Sequence, residues 1–182
     1  MPIYFGKDKI EGVSVTKHAK EPYIEETYNA NGELTNAVMH GHAKVRGSIF
    51  RDCSNLVSVD IPSGVTGIGS WAFYNCSSLA LTSFPSGLTD IPSYMCSGCN
   101  SITNITFPNS IISVGDRAFN GCSGLTSVIF EGKPNIIGKY TFYNCPNLTS
   151  ISVHWAEGEV ANAPWGAKNA TINYNEKGDV SI

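Results

Sequence analysis

Apolar positions recur along this chain at one fixed interval. Cys53, Cys76, Cys99, Cys122 and Cys145 stand 23 residues apart without insertion. Phe50, Phe73, Cys96, Phe119 and Phe142 precede them by three positions, and Leu56, Leu79, Ile102, Leu125 and Leu148 follow by three. Further on in each unit come Ile61, Phe84, Phe107, Phe130 and Val153, then Ile68, Ile91, Val114, Ile137 and Val160. A short period with apolar residues at constant phases predicts a solenoid, in which each coil buries its hydrophobic face only against its neighbours. Within a coil, the spacing of Leu125, Val128 and Phe130 ends in period-two alternation and predicts a strand. Pro62, Pro85 and Pro108 end that strand, because proline has no N–H for a continuing ladder. A second extended piece falls at Val65 to Ile68 and its equivalents, and the A-F-x-x-C segment reads as a single helical or 3₁₀ turn.

The segments IGSWAFYNCSSL, VGDRAFNGCSGLTSVIF and IGKYTFYNCPNLTSISV resemble the BspA-like leucine-rich repeats of bacterial surface proteins, over about residues 43 to 165. The resemblance implies a right-handed leucine-rich coil, β-dominated with short helical turns, of the α/β leucine-rich class. It also implies adhesion or protein binding at a cell surface, without catalysis.

The period divides the chain into three. Residues 1–42 break the repeat and hold six of the 15 acidic side chains. They read as an N-terminal cap or small module of β-hairpins: IYFG and KDKIEG lead into VSVT, and ETYNANGELTNAVM turns around Asn31 and Gly32. Residues 43–160 form five repeats. Residues 161–182 form a closing coil in which Trp165 takes the phenylalanine phase and the cysteine is lost.

In this register Cys53, Cys76, Cys99, Cys122 and Cys145 point inward and stack as a ladder of small core residues. Adjacent coils lie about 4.8 Å apart, and parallel inward vectors keep the Cβ atoms near that spacing, beyond the roughly 3.5–4.5 Å that a disulfide prefers. Cys96 takes a phenylalanine phase and makes a C-x-x-C pair with Cys99. A zinc reading needs a second pair or matching histidines, which His18, His40, His42 and His154 do not supply; a redox reading needs a thioredoxin-like context. Core packing is the expectation, with Met95 or a neighbouring phenylalanine filling the volume lost at Cys96. LALTSF carries a register fault: the phase puts Thr82 inward and Leu81 outward, and a local bulge would exchange them.

Composition narrows the function. Apolar residues make up 42% and charged residues 15%, with a net charge of -3. Such a chain folds, and no basic cluster is present to neutralise phosphates, so nucleic acid is not an expected partner. No run reaches the roughly 18 apolar residues of a membrane-spanning helix, so membrane insertion is not expected, and MPIYFGKDKIEG lacks the order of a secretory signal. No nucleophile, metal or phosphate motif occurs, and Asp60, Asp90, Asp116 and Glu131 fall at different phases, so neither catalysis nor a cofactor is expected. His40-Gly-His42 lacks a third ligand. The sequons at Asn75, Asn104, Asn147 and Asn169 follow from composition.

Two functions fit a rigid scaffold of this kind. One is a binding or adhesion module on a bacterial surface, with a protein or glycan partner on a host or neighbouring cell. The other is a structural or receptor-binding part of a phage or prophage particle, placing the chain in a virion. One phase stands out for recognition: Trp71, Tyr94, Arg117 and Tyr140 line up on the outer turn, with Tyr74 and Tyr143 nearby. Aromatics and arginine dominate binding hot spots. The strand face instead offers Ser58, Asp60, Asn104, Thr106, Ser127 and Ser152.

Overall fold

A computed structural model describes residues 8–10, 13–16, 23–41 and 44–174. The chain forms a leucine-rich β-solenoid whose coils follow the 23-residue period. Strands β1 (Asp8–Ile10), β2 (Val13–Thr16), β3 (Tyr23–Tyr28) and β4 (Leu34–His40) pair antiparallel in succession. The β3–β4 turn is held by Asn29, whose Oδ1 accepts the N–H groups of Asn31 and Glu33, each at 3.0 Å. Residues 3–7, the first part of the expected N-terminal hairpin, lie outside the described residues. A short β5 (Lys44–Val45) follows, and then β6 (Ser58–Asp60), which pairs parallel with β4, so the antiparallel strands continue directly into the first coil.

The coils contribute two stacks of parallel strands. The shorter elements β7 (Gly67–Ile68), β8 (Asp90–Ile91), β10 (Ser113–Val114) and β12 (Ile136–Ile137) lie on one side. β5 pairs with β7, and β8, β10 and β12 form a separate sheet. On the other side β9 (Asn104–Phe107), β11 (Ser127–Phe130) and β13 (Ser150–Val153) pair in register at the repeat spacing, and β14 (Thr171–Tyr174) pairs with β13 two residues short of it, Ser150 opposite Thr171. Pro108 directly follows β9, as its missing donor requires.

The strand stack breaks at one coil. Where the repeat would place a strand at 81–84, only an isolated bridge from Ser83 to Thr106 remains. Thr82 is exposed, whereas Leu81 is half-buried against the core. Placing Thr82 inside would bury a hydroxyl among apolar side chains, so the backbone leaves the regular register and Leu81 covers the core instead.

The A-F-x-x-C segments are neither helical nor 3₁₀, and the described residues form an all-β fold. Their hydrogen bonds show why. In the third segment the N–H groups of Met95, Ser97 and Cys99 donate within the coil to Pro92, Tyr94 and Cys96. Those of Tyr94, Cys96 and Gly98 donate to Asp116, Ala118 and Asn120 of the next coil. A 3₁₀ helix needs successive i→i+3 bonds. Here every second donor holds two coils together, so the helix never starts. Coils approach so closely that a Cβ on Gly115 would lie 2.5 Å from the Ser93 nitrogen, which leaves glycine as the residue that fits.

The core is a stack of repeating phases. Phe73, Phe119, Phe142, Leu56, Ile102, Leu125 and Leu148 are fully buried. Phe50 stacks on Phe73 at 5.7 Å and Phe119 on Phe142 at 5.9 Å, but Cys96 interrupts the column. Met95 is fully buried beside the gap, and Phe84 and Phe107 set their rings edge-on against Phe119 at 6.2 and 5.5 Å. At the last coil, Trp165 fills the phenylalanine phase, meets Phe130 and Trp155, and donates its indole N–H to the Ala161 carbonyl at 2.8 Å.

Candidate functional site: an aromatic and cationic ridge

The thiols form an interior column. All six cysteines are free; Cys76, Cys96, Cys99, Cys122 and Cys145 are buried, whereas Cys53, in the first coil, is half-buried. The thiol of Cys76 donates to the Phe50 carbonyl of the preceding coil at 2.9 Å. Cys99 donates likewise to Phe73, Cys122 to Cys96 and Cys145 to Phe119, each at 3.1 Å. All four of these carbonyls also accept the backbone N–H of the cysteine in their own coil. Cysteine thus fits a site that needs a small apolar body with one weak donor. Burial pushes the Cys76 and Cys122 thiols well above their ordinary range. At Cys99 a hydrogen bond with the Cys96 thiol acts first and burial second, in the same direction. Such thiols are poor nucleophiles. Among the described residues no group of three or more His, Cys, Asp and Glu is placed to hold a metal ion. His18 and His42 lie outside the described residues.

The outer turn carries a second column. Trp71 and Tyr94 stack nearly parallel with ring centroids 4.2 Å apart. Arg117 follows, its guanidinium 5.9 Å from the Tyr94 ring and 5.0 Å from Tyr140, and its Nη1 donates to the Tyr94 hydroxyl at 3.2 Å. Tyr74 packs against Trp71 at 4.9 Å and Tyr143 against Tyr140 at 5.8 Å. The structure therefore brings Trp71, Tyr94, Arg117 and Tyr140 into one continuous contact series. Three cations complete it that the aromatic phase alone did not reveal. Arg51 sits 5.3 Å from Trp71 and 5.1 Å from Tyr74, Lys139 5.3 Å from Tyr140, and Lys168 5.9 Å from Tyr143. Arg51 was legible: it occupies the same phase as Tyr74 and Tyr143. Lys168 occupies the cysteine phase of the last coil.

Three ridge residues share an uncommon backbone conformation. Trp71, Tyr94 and Arg117 have φ of 64°, 59° and 55°, in the left-handed region. For a non-glycine residue this costs about 1–2 kcal/mol. Four positions further on, the left-handed site before each cysteine holds Asp52, Asn75, Gly98, Gly121 and Asn144, the residue types that tolerate it best. At this phase the first coil holds a small residue, Ser48 (φ 58°), whereas the next three coils keep large side chains in the same conformation.

The strand-lined face differs. Ser58 donates to Asn36 at 2.7 Å, Ser127 to Asn104 at 2.6 Å, and Asn173 to Ser150 at 3.0 Å. Ser58, Asn104 and Ser127 thus spend polar groups on neighbouring coils along the stack.

The model of the BspA type leucine rich repeat region matches residues 28–159 in six copies. The chain belongs to the BspA type leucine rich repeat family. Among solved structures, this BspA type chain is similar to a leucine rich cell surface protein from Faecalibacterium prausnitzii, with 28% identity and a TM-score of 0.66. The match covers 82% of this chain and 40% of that one, so the BspA type coils span well under half of that relative's length. A T. pallidum leucine rich repeat protein shares the fold at 22% identity and a TM-score of 0.61, over 88% of this chain and 84% of that one. No curated protein matches the chain.

Proposed function

We propose that the coils form a non-catalytic protein-binding module displayed on a bacterial cell surface, and that the partner docks on the ridge of Trp71, Tyr94, Arg117 and Tyr140. The observation that carries this reading is the unbroken contact series of aromatics and cations, three members of which, Trp71, Tyr94 and Arg117, stand in left-handed backbone. Conformational cost at a surface position is retained where side chains have a task beyond packing. The similarity to a bacterial leucine rich cell surface protein supports the location.

The partner is a protein rather than a glycan. Sugars stack on ring faces, and the faces here are covered: Trp71 lies against Tyr94, and Arg51 and Arg117 approach the rings from the adjoining coils. The ridge offers tyrosine hydroxyls and guanidinium N–H groups among aromatic rings, the residue types of a protein–protein hot spot.

The experiment is a partner isolated by pull-down and measured against two variants. Trp71→Ala with Tyr94→Ala should abolish binding while leaving the melting temperature nearly unchanged. Ser58→Arg with Ser127→Arg, on the strand face, should leave binding intact. The reverse pattern would move the site to the strand face.

A further inference from the structure

The ridge gathers the positive charge of an otherwise balanced solenoid. Between residues 44 and 174 the sequence holds seven lysines and arginines and seven acids. Four of those cations, Arg51, Arg117, Lys139 and Lys168, touch ridge rings, whereas only the acids Asp52 and Asp116 lie beside them. The ridge therefore carries an excess of two positive charges and the rest of the coils an excess of two negative ones. The two ion pairs formed there are solvent-exposed, and exposed pairs of this kind are weak and readily exchanged.

Donor capacity points the same way. A guanidinium has five N–H donors in a planar fork. Arg117 uses one nitrogen, Nη1, toward both Tyr94 and Asp116, and Arg51 uses Nε toward Asp52. Each guanidinium lies within 6 Å of two ridge rings, a contact that restricts the side chain, and its remaining donors are available to a carboxylate. Lys139 and Lys168 have no carboxylate within salt-bridge distance among the described residues. At Lys168 lies an open recess of about 420 Å³, lined by Asn144, Cys145, Pro146, Gly166, Lys168 and Asn169. It is large enough for an acidic side chain.

We infer that the partner presents an extended acidic segment that runs along the ridge, its carboxylates received by Arg51, Arg117, Lys139 and Lys168, with one acidic side chain seated in the recess at Lys168. From the coil of Arg51 to that of Lys168 is five steps of about 4.8 Å, and an extended chain rises about 3.3 Å per residue, so the segment is about seven residues long. This inference rests on the ridge being the docking surface.

The probe is a fluorescently labelled seven-residue peptide alternating glutamate with glycine, with a glutamine counterpart and heparin as comparisons. Anisotropy titrations at low and high salt use the whole chain. The glutamate peptide should bind, lose affinity at high salt, and weaken about tenfold in Lys139→Gln with Lys168→Gln; the glutamine peptide should not bind. Equal binding of the two peptides, binding of neither, or insensitivity to the lysine changes overturns the inference. Heparin binding through the same lysines without the glutamate peptide also overturns it, in favour of a sulfated polyanion. A pulled-down partner separates the two levels. If Trp71→Ala with Tyr94→Ala abolishes its binding but salt and the lysine changes do not affect it, the ridge stands and the acidic segment falls. If it ignores all of these changes, both fall.

Discussion

The cysteine column and the aromatic ridge repeat with the same period and lie a few residues apart in every coil, yet they follow opposite rules. Inside, the chemistry is held constant: four successive thiols from Cys76 to Cys145 donate to the carbonyl of the coil before, at 2.9 to 3.1 Å. Outside, size is held while chemistry changes, from Trp71 to Tyr94 to Arg117 to Tyr140. A column that must pack admits one solution at each rung. A column that must recognise something admits variety, provided each member reaches its neighbours. The inner column also gives each of those carbonyls a second donor, whereas the outer one accepts left-handed backbone at Trp71, Tyr94 and Arg117.

The sharpest way to break the comparison is to remove volume from the interior. Phe119→Ala, flanked by Phe142, Phe107 and Phe84, should cost about 3–5 kcal/mol in urea unfolding. Phe50→Ala, whose ring meets only that of Phe73 among the described residues, should cost less. Equal and mild losses would contradict the phase assignment. Next in size is the thiol bond: Cys99→Ala should cost about 1–3 kcal/mol, because it leaves the Phe73 carbonyl without its second donor and opens a small void.

Alkali should discriminate between the columns as well. Folded thiols at Cys76, Cys99 and Cys122 are raised above their unfolded values, so the unfolded state releases protons first. Their contribution to stability is complete below about pH 8.5, the unfolded thiol value, and is lost as pH rises beyond it. A Cys76→Ala, Cys122→Ala variant should show a shallower alkaline loss of stability by denaturant titration. A parallel slope would contradict buried neutral thiols. The smallest expected change is at the ridge: Tyr94→Asn exchanges a ring for a residue suited to left-handed backbone and should shift unfolding by less than about 1 kcal/mol.

The period and the strand segments are legible in the sequence because apolar phases report burial directly. So is the fault at Leu81 and Thr82, since a threonine at an inward phase conflicts with its neighbours. The turn segment is not: a local pattern around Phe73 and Cys76 suggests i→i+3 bonding, but the alternate donors at Phe73 and Asn75 reach Met95 and Ser97 in the next coil, which only the stacked structure reveals. The ridge is half legible. Its aromatic phase appears in an alignment of the repeats, whereas Lys139 and Lys168 reach their rings from other phases.

Hydroxyl-radical footprinting of the chain with its captured partner tests the central claim most directly, because tyrosine and tryptophan oxidise readily and the ridge holds five of them. Protection of Trp71, Tyr74, Tyr94, Tyr140 and Tyr143, with Val57 and Ile129 on the exposed surface unchanged, is the predicted result. Protection confined to Val57 and Ile129, with the ridge oxidised as in the free protein, would contradict it.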